Sequence, residues 1–225
     1  MSALIETRAL ACRDERRQVA LLQPTDFALH RGDRVSITGA SGSGKSVFLR
    51  ALALLDAPTS GQVLWNSRPI ADTDIPEYRS RICYLSQRPA LIDGTVQDNL
   101  RFPFSLKTLR KRHFELATIT ALLQHAGKSP DFLAKNASDL SGGESQVVAL
   151  IRTLQLNPDV LLLDEPTAAL DPASSHDVEA LIDAWFADDP TRAYVWVSHD
   201  LEQAQRMSDI HLHMRAGVLS GATQP

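Results

Sequence analysis

The sequence has few cysteines, no long apolar run and no segment typical of a signal peptide. Of its two cysteines, Cys12 and Cys83, the second lies in the apolar run 81–85, which favours a buried free thiol over a disulfide. Charged residues interrupt every apolar run well before the roughly 20 residues that a membrane-spanning helix needs. The first residues lack the basic end and apolar centre of a signal peptide. We therefore expect a chain of the reducing cytoplasm, and if it serves a membrane, it does so through a partner.

The sequence also lacks internal repeats and a strong excess of charge. A net charge of -4 gives no attraction of the whole protein to DNA, RNA or anionic lipid, so no nucleic-acid partner is expected. With 225 residues, of which 44% are hydrophobic, the chain can bury the core of one large domain with an inserted subdomain.

Apolar segments of strand length alternate with helical ones, and this order predicts an α/β fold with a mostly parallel sheet. Strands are predicted at 34–38, 160–163 and 193–197, an edge strand at 210–214, and helices at 45–55, 106–125 and 145–156. Because no convincing strand occurs between them, residues 88–156 are predicted to form a helical subdomain within a single domain whose core is 1–87 and 157–225.

The segment after the first parallel strand fits the phosphate-loop pattern G-x-x-x-x-G-K-[ST]. Glycines let backbone N–H groups curl around phosphates, and the start of the following helix directs its positive end at them. Lys45 is expected to contact the β- and γ-phosphates and Ser46 to ligate magnesium, which implies a nucleoside triphosphate and Mg²⁺ as ligands. The alternative is a Gly/Ser-rich turn, which the flanking strand and helix disfavour. The loop consists of Gly39, Ala40, Ser41, Gly42, Ser43, Gly44, Lys45 and Ser46.

Two carboxylates, Asp164 and Glu165, follow the uncharged strand 160–163. They lie at the carboxyl end of a buried strand, which is where open α/β sheets bind ligands. Asp164 is predicted to hold magnesium through its water shell, opposite Ser46, and Glu165 to polarise the attacking water as general base. The alternative is a solvated loop with acidic residues at a helix start.

A second glycine motif, Leu140-Ser141-Gly142-Gly143-Glu144, opens the helix predicted at 145–156. Ser141 and Glu144 have the spacing of a capping box, and a capped helix start with two glycines is also an anion site. Together with the phosphate loop and the acidic pair, this pentapeptide resembles the signature of ABC transporter ATP-binding subunits. The resemblance implies a phosphate-loop ATPase core with a small antiparallel β part and an inserted α-helical subdomain. It also implies an ATP-bound homodimer arranged head to tail, in which each ATP contacts the phosphate loop of one chain and the signature of the other.

Three further residues match the family pattern, in the family's order. Gln87 resembles the Q-loop glutamine that meets magnesium and water, and His199 resembles the switch histidine that contacts the γ-phosphate. Asp171 resembles the D-loop aspartate, which acts across the dimer. Taken singly, Gln87 has the alternative of an ordinary surface residue and His199 that of a structural histidine. Asp171 before Pro172 is also an ordinary N-cap, and this role is compatible with the other.

The resemblance implies an integral membrane permease subunit as partner, and a peripheral location on the cytoplasmic face of the inner membrane. The candidate contacts with this partner are Leu91, Ile92, Phe102 and Phe104, unless they fill the core of the subdomain. A basic cluster is interpreted first as a solvated helix face, then as a lipid-headgroup contact and last as a nucleic-acid contact; it comprises Lys107, Arg110, Lys111 and Arg112.

Two stretches, 95–104 and 150–154, resemble the Fet-type ATP-binding subunits assigned to bacterial iron export. We therefore interpret the chain as the ATPase of a transporter, with iron export as the candidate activity. Importer-type and lipid-type ABC subunits stay open, as does a soluble ABC ATPase of DNA repair or translation, although such proteins usually carry coiled coils or tandem ATPase domains. A P-loop kinase or GTPase would leave the signature unexplained. His211 and His213 are interpreted as structural rather than metal-binding.

The sequence departs from the family pattern in three places. Val147 stands where a basic residue is commoner, and 168–171 lacks the usual serine, which would loosen the coupling between the two sites. Many members stack adenine on an aromatic residue upstream of the phosphate loop, but no Phe, Tyr or Trp occurs from Leu4 to Asp26. The matching position falls near Cys12 and Arg13, where the guanidinium plane of Arg13 offers a substitute.

Without an aromatic stacking residue, we expect weak discrimination between nucleotide bases. The kcat/KM values for ATP and GTP should be comparable when both are measured by phosphate release under the same conditions. A preference for ATP above about a hundredfold would contradict this expectation, because it requires a site that selects the base.

Overall fold

The computed structural model describes residues 3–14, 16–109 and 111–221, and its strands lie in two sheets. The strands are β1 (Ile5–Asp14), β2 (Val19–Leu29), β3 (Arg34–Thr38), β4 (Ser60–Trp65), β5 (Arg68–Pro69), β6 (Ile82–Leu85), β7 (Val160–Asp164), β8 (Ala193–Val197), β9 (Ile210–Arg215) and β10 (Val218–Gly221). An antiparallel sheet has the order β2-β1-β4-β5, and a six-stranded sheet has the order β10-β9-β3-β8-β7-β6.

The helices vary in length from one short turn to nearly five turns. They are α1 (Lys45–Leu52), α2 (Ile75–Arg81), α3 (Val96–Arg101), α4 (Leu116–His125), α5 (Gly142–Leu154), α6 (Pro172–Asp188) and α7 (Leu201–Met207). Short 3₁₀ helices lie at Asp72–Asp74, Phe102–Ser105, Pro130–Ala134 and Ala137–Asp139. The chain divides into two compact units, one of residues 1–84, 159–165 and 190–225 and one of residues 85–158 and 166–189.

The first unit has a parallel sheet centre that is apolar on both faces. β3 pairs in parallel with β8 and β9, and β7 pairs in parallel with β8. Every residue of β7 and β8 is buried, as expected for strands covered on both faces. Phe48 and Leu52 of α1 belong to the same buried cluster as Leu162 and Val195. Since β3, β7 and β8 run in the same direction, the residues that follow them meet at one edge of the sheet.

The second unit is built around α5. This helix packs against α3, α4 and α6, and its buried face is apolar, as an amphipathic helix requires. The buried side chains of α5 and α6 include Val148, Leu150, Ile151, Val178, Leu181 and Ile182. α6 contacts both α4 and α5, which groups residues 166–189 with the helical residues. The sequence predicts these residues in the core, and the division into a single domain with a subdomain at 88–156 stays a prediction.

The predicted α/β fold class is confirmed, and the strands predicted at 34–38, 160–163 and 193–197 correspond to β3, β7 and β8. The prediction of an edge strand at 210–214 is wrong. β9 lies between β3 and β10, because the turn at Ala216 and Gly217 returns the chain as β10, a strand that the sequence analysis missed.

Two predicted helices are shorter in the structure. The helix predicted at 45–55 ends at Leu52, since Leu54 adopts a left-handed φ of 54°, and Leu55 is exposed. Of the helix predicted at 106–125, only Leu116–His125 forms. Before it, Leu109 N–H donates to Leu106 O (3.0 Å) and Arg112 N–H donates to Leu109 O (2.8 Å), so the chain makes turns instead.

The density of like charges before α4 gives a physical reason for these turns. A helix here would place the positive charges of Lys107 and Lys111 four residues apart on one face, with Arg112 next to them. Like charges at this spacing destabilise a helix. Arg110, the fourth member of the basic cluster, lies outside the described residues.

Both Cys12 and Cys83 are buried free thiols, which confirms the prediction for Cys83. Within 3–14, 16–109 and 111–221, no helix is both long enough and apolar enough to span a membrane.

Candidate active site

The phosphate-loop sequence forms a tight turn between β3 and α1 in the first unit. Gly39 has a φ of 146°, and a Cβ at this position would collide with the Met214 carbonyl oxygen, so only glycine fits. The Ser43 Oγ is buried and has no hydrogen-bond partner among the described residues. A buried hydroxyl without a partner carries a free-energy cost, which a polar ligand in the loop would relieve.

Lys45 places a buried ammonium group inside the loop. Its side chain is 5% exposed, and its Nζ donates to the carbonyl oxygens of Gly39 (2.7 Å) and Ala40 (3.1 Å). The Nζ also lies 3.9 Å from Glu165 Oε1. A buried positive charge costs free energy unless negative groups pair with it. The Lys45 ammonium group is therefore suited to bind a polyanion in the loop.

Asp164 connects the end of β7 to the start of α1 and to β6. Ser46 Oγ donates to Asp164 Oδ1 (2.9 Å), and the Tyr84 hydroxyl donates to Asp164 Oδ2 (2.8 Å). Asp164 is only 6% exposed, so these hydrogen bonds compensate for the water that its carboxylate has lost. Burial raises the pKa of the Tyr84 phenol, and the hydrogen bond to Asp164 raises it further, which keeps the phenol protonated as a donor.

The residues at this position fit a magnesium ion. Magnesium prefers hard oxygen ligands and usually takes one or two protein groups together with phosphate oxygens. The hydroxyl of Ser46 and the carboxylate of Asp164 already lie within hydrogen-bond distance of each other. These two residues would hold the ion.

Glu165 lies beside this pair with a strained backbone. Its φ is 49°, the left-handed region that residues other than glycine rarely adopt, and such strain concentrates at functional sites. The Glu165 N–H donates to the Val197 carbonyl of β8 (3.1 Å). Glu165 Oε2 lies 3.6 Å from Nδ1 of His199, whose side chain is 64% exposed. A carboxylate between a lysine and a histidine can accept a proton from water in an anion-binding site.

The signature pentapeptide forms a capped helix start in the second unit. Ser141 Oγ accepts from Glu144 N–H (3.2 Å), and Glu144 Oε2 accepts from Ser141 N–H (2.8 Å), as the capping-box spacing predicts. Lys135, which the sequence analysis did not single out, donates from Nζ to Glu144 Oε1 (2.9 Å) and Oε2 (2.8 Å). This hydrogen bond lowers the pKa of Glu144.

The two signature glycines have different surroundings. A Cβ at Gly143 would collide with Ser174 Oγ of α6, so this glycine permits the close approach of α5 and α6. A Cβ at Gly142 would have nothing within 4 Å. Gly142 and Ser141 are exposed while Gly143 is buried, so packing within the chain accounts for Gly143 but not for Gly142.

Asp171 caps α6, as its sequence context predicts. Its Oδ1 accepts from Ala173 N–H and Ser174 N–H, both at 3.0 Å, and its Oδ2 accepts from Ser174 Oγ (2.7 Å). The hydrogen bonds from Ser174 lower the pKa of Asp171. Pro172 occupies the first helical position. The same serine therefore contacts both the signature helix and the D-loop aspartate.

The structure thus brings the phosphate loop, Asp164, Glu165 and His199 together in the first unit. Gln87, Asp171 and the signature residues belong to the second unit, and Gln87 is exposed there. Tyr84, which no sequence motif indicates, joins this group through its hydrogen bond to Asp164.

The residues near the expected base-binding position differ in exposure. Cys12 is buried, and burial together with the nearby Asp56 raises the pKa of its thiol. Arg13 is exposed, so its side chain is accessible for the stacking role predicted from the sequence.

The two histidines of β9 contact hydroxyl groups. His211 Nδ1 lies within 3.2 Å of the Ser36 and Ser208 hydroxyls, and His213 Nδ1 lies 3.3 Å from the Thr38 hydroxyl.

Comparison with known proteins identifies the family. A family model described as ABC transporter matches residues 22–168. The chain is 41% identical over 223 residues to Protein STAR1 of Oryza sativa subsp. japonica, and it is 37% identical over 203 residues to the Probable iron export ATP-binding protein FetA of Escherichia coli K12. These matches cover 98% and 90% of this chain, and they span 63% of STAR1 and 88% of FetA.

Importers are also similar to this chain. The Nickel import ATP-binding protein NikO of Rhodobacter capsulatus is 35% identical over 214 residues, covering 91% of this chain and 83% of NikO. Among solved structures, a dimeric ATP-binding cassette in a post-hydrolysis state with ADP and Pi matches with a TM-score of 0.83. That match has 24% identity and covers 98% of this chain and 99% of the other, and it supports the fold.

We expect Lys135→Met to destabilise the protein by about 0.5–1 kcal/mol at pH 7, since a partly exposed ion pair contributes little more. The folded-state pKa of Glu144 is lowered from 4.5, so this pair stabilises the protein above the unfolded pKa and stops doing so as the pH falls through the folded value. The difference from wild type should therefore shrink below pH 4.5. Denaturant unfolding at neutral and acidic pH measures it.

Lys107→Met is the matched control, because Lys107 is an exposed lysine of the same unit. Its free energy of unfolding should stay close to wild type at both pH values. An equal loss for Lys135→Met at neutral and acidic pH would contradict the assigned ion pair.

Proposed function

The chain belongs to the ABC transporter family and is an ATPase of that family, and we propose that it is the ATP-hydrolysing subunit of a transporter, powering a membrane partner. The observation that carries this proposal is the cluster at the carboxyl edge of the parallel sheet. There Ser46 bonds to Asp164, Lys45 lies inside the phosphate loop, and Glu165 lies within 4 Å of both Lys45 and His199.

Each residue of this cluster has a proposed role in hydrolysis. The phosphate-loop N–H groups and Lys45 bind the β- and γ-phosphates, and Ser46 and Asp164 hold magnesium. The role of Gln87 as the Q-loop glutamine stays a prediction. Magnesium, when bound there, neutralises charge that develops on the phosphates. Glu165 accepts the proton of the attacking water, and His199 donates a hydrogen bond to the γ-phosphate.

The signature residues are proposed to complete the site of a second copy of the chain. Ser141, Gly142, Gly143 and Glu144 form the capped start of α5, where backbone N–H groups and the helix dipole favour an anion. The exposure of Ser141 and the open space at Gly142 support this role. The carboxylate of Glu144 would repel phosphate, and its bond to Lys135 offsets that repulsion. Asp171 is proposed to communicate across the same ATP-bound dimer.

Metal export, and iron export in particular, is proposed as the transport activity. The likeness to FetA extends over most of both chains, and the stretches 95–104 and 150–154 resemble Fet-type subunits. The chain would then lie peripherally on the cytoplasmic face of the membrane. Leu91, Ile92, Phe102 and Phe104 are proposed to receive the partner; none of the four is fully buried, and Phe102 is 42% exposed.

We expect Glu165→Gln to bind ATP, to form a stable ATP-dependent dimer, and to lose at least about a hundredfold in turnover, because the amide cannot act as general base. Phosphate release measures the rate, and size-exclusion chromatography with and without ATP measures the dimer. Glu77→Gln is the control, since Glu77 is an exposed carboxylate on α2, and it should remain active. Full activity of Glu165→Gln, or full activity of the wild type as a monomer, would overturn the assignment.

The membrane partner gives a separate test. A tagged chain should co-purify with a polytopic membrane protein, and Phe102→Asp should reduce the recovered partner at least about tenfold, because a charge in an apolar contact is strongly disfavoured. Leu201→Asp, at a position that is 64% exposed on α7, should not reduce it. Recovery without any membrane protein would favour a soluble ABC ATPase, and unchanged metal efflux in cells lacking the chain would argue against export.

A further inference from the structure

Both oxygens of the Asp164 carboxylate accept a hydrogen bond from a hydroxyl group. Ser46 occupies Oδ1 at 2.9 Å, and Tyr84 occupies Oδ2 at 2.8 Å. The nucleotide-site roles assigned above use Ser46 and Asp164 but leave Tyr84 without a function. Since Asp164 is 6% exposed, water has little access to take the place of the Tyr84 hydroxyl.

The second hydrogen bond decides how the carboxylate is oriented. The torsion that turns an aspartate carboxylate is broad and has no sharp staggered minima, so packing alone leaves its plane poorly defined. A donor at Oδ2 holds this plane and leaves Oδ1 directed at Ser46. Groups that orient a metal ligand in this way strongly affect metal affinity, because the ligand is already in its binding geometry.

Tyr84 is itself held in place by two features of the first unit. It lies in β6, the strand beside β7, so the backbones that carry Tyr84 and Asp164 are neighbours in the same sheet. Its ring is partly buried and packs against the main hydrophobic cluster, which includes Leu52 and Ile82. The hydroxyl group is therefore presented to Asp164 from a rigid element rather than from a loop.

We propose that Tyr84 is a positioning residue for the magnesium site, and that its hydroxyl holds the Asp164 carboxylate in the orientation that binds the ion beside Ser46. This inference rests on the proposed function, because it takes a magnesium–nucleotide complex as the ligand. Tyr84 touches neither nucleotide nor metal in this role. It acts only through Asp164.

The test measures metal affinity directly, by electron paramagnetic resonance of free Mn²⁺ titrated into the protein with ADP present. Tyr84→Phe keeps the ring and removes only the hydroxyl group. Its Mn²⁺ dissociation constant should rise about tenfold, while its affinity for ADP without metal should stay unchanged. In activity assays the Mg²⁺ concentration that gives half-maximal turnover should rise by a similar factor.

Tyr78→Phe is the matched control. The Tyr78 hydroxyl is buried and donates to the Leu52 carbonyl oxygen (2.5 Å), so it does not serve Asp164. This variant should lose stability and keep the wild-type Mn²⁺ affinity. Equal Mn²⁺ affinity in Tyr84→Phe and wild type would overturn the proposal, as would an equal rise in both tyrosine variants, since that would mark a general loss of stability.

A measurement on the wild-type chain covers the case in which Tyr84→Phe does not fold. The chain contains three tyrosines, Tyr78, Tyr84 and Tyr194, so ζ-¹³C-labelled tyrosine gives three signals that Tyr78→Phe and Tyr194→Phe assign. Addition of Mg²⁺ with ADP should shift the Tyr84 signal, and an unmoved signal would overturn the proposal. If the chain does not hydrolyse ATP, the proposed function fails, but the Mn²⁺ titration still reports on Tyr84.

Discussion

The hydrogen bond between Ser46 and Asp164 is the contact on which the candidate site depends, because it joins the start of α1 to the end of β7. Parallel strands place these two chain segments at one edge of the sheet, and α1 packs Phe48 against the same core that buries β7. The apolar core thus sets the distance between a hydroxyl and a carboxylate that lie far apart in the sequence. Packing and chemistry are linked at this point, since the core that stabilises the fold also fixes the donor set for a metal.

Buried charge is the second constraint, and the site resolves it with short-range partners. The Lys45 ammonium group bonds to two loop carbonyl groups, while Asp164 accepts from two hydroxyl groups. Desolvated ionic groups are tolerated only with such partners. Among the described residues of the loop, the buried neutral hydroxyl of Ser43 has no hydrogen-bond partner, and Glu165 has a strained backbone. Both features have a free-energy cost in the absence of ligand, as is common where a site is preorganised.

In the signature helix a single motif serves structure and proposed function together. The capping box and the contact of Gly143 with Ser174 would stabilise α5 in any protein. A Cβ at Gly142, in contrast, would face open space, and packing does not explain why this surface carries a glycine. Structural and functional interpretations of one motif therefore separate residue by residue, according to what each atom touches.

The sequence alone determined the strands around the phosphate loop, the acidic pair and the capped signature, because each rests on local spacing that the chain carries in itself. It did not predict β10, which pairs with β9 across the turn at Ala216 and Gly217, or the end of α1, where the left-handed Leu54 overrides periodicity. Nor did it predict the partners of Asp164 and Glu144, namely Tyr84 and Lys135, because neither forms a recognisable motif with them. Local patterns fix which groups the chain contains, whereas only the packing of strands and helices decides which of those groups come within hydrogen-bond distance.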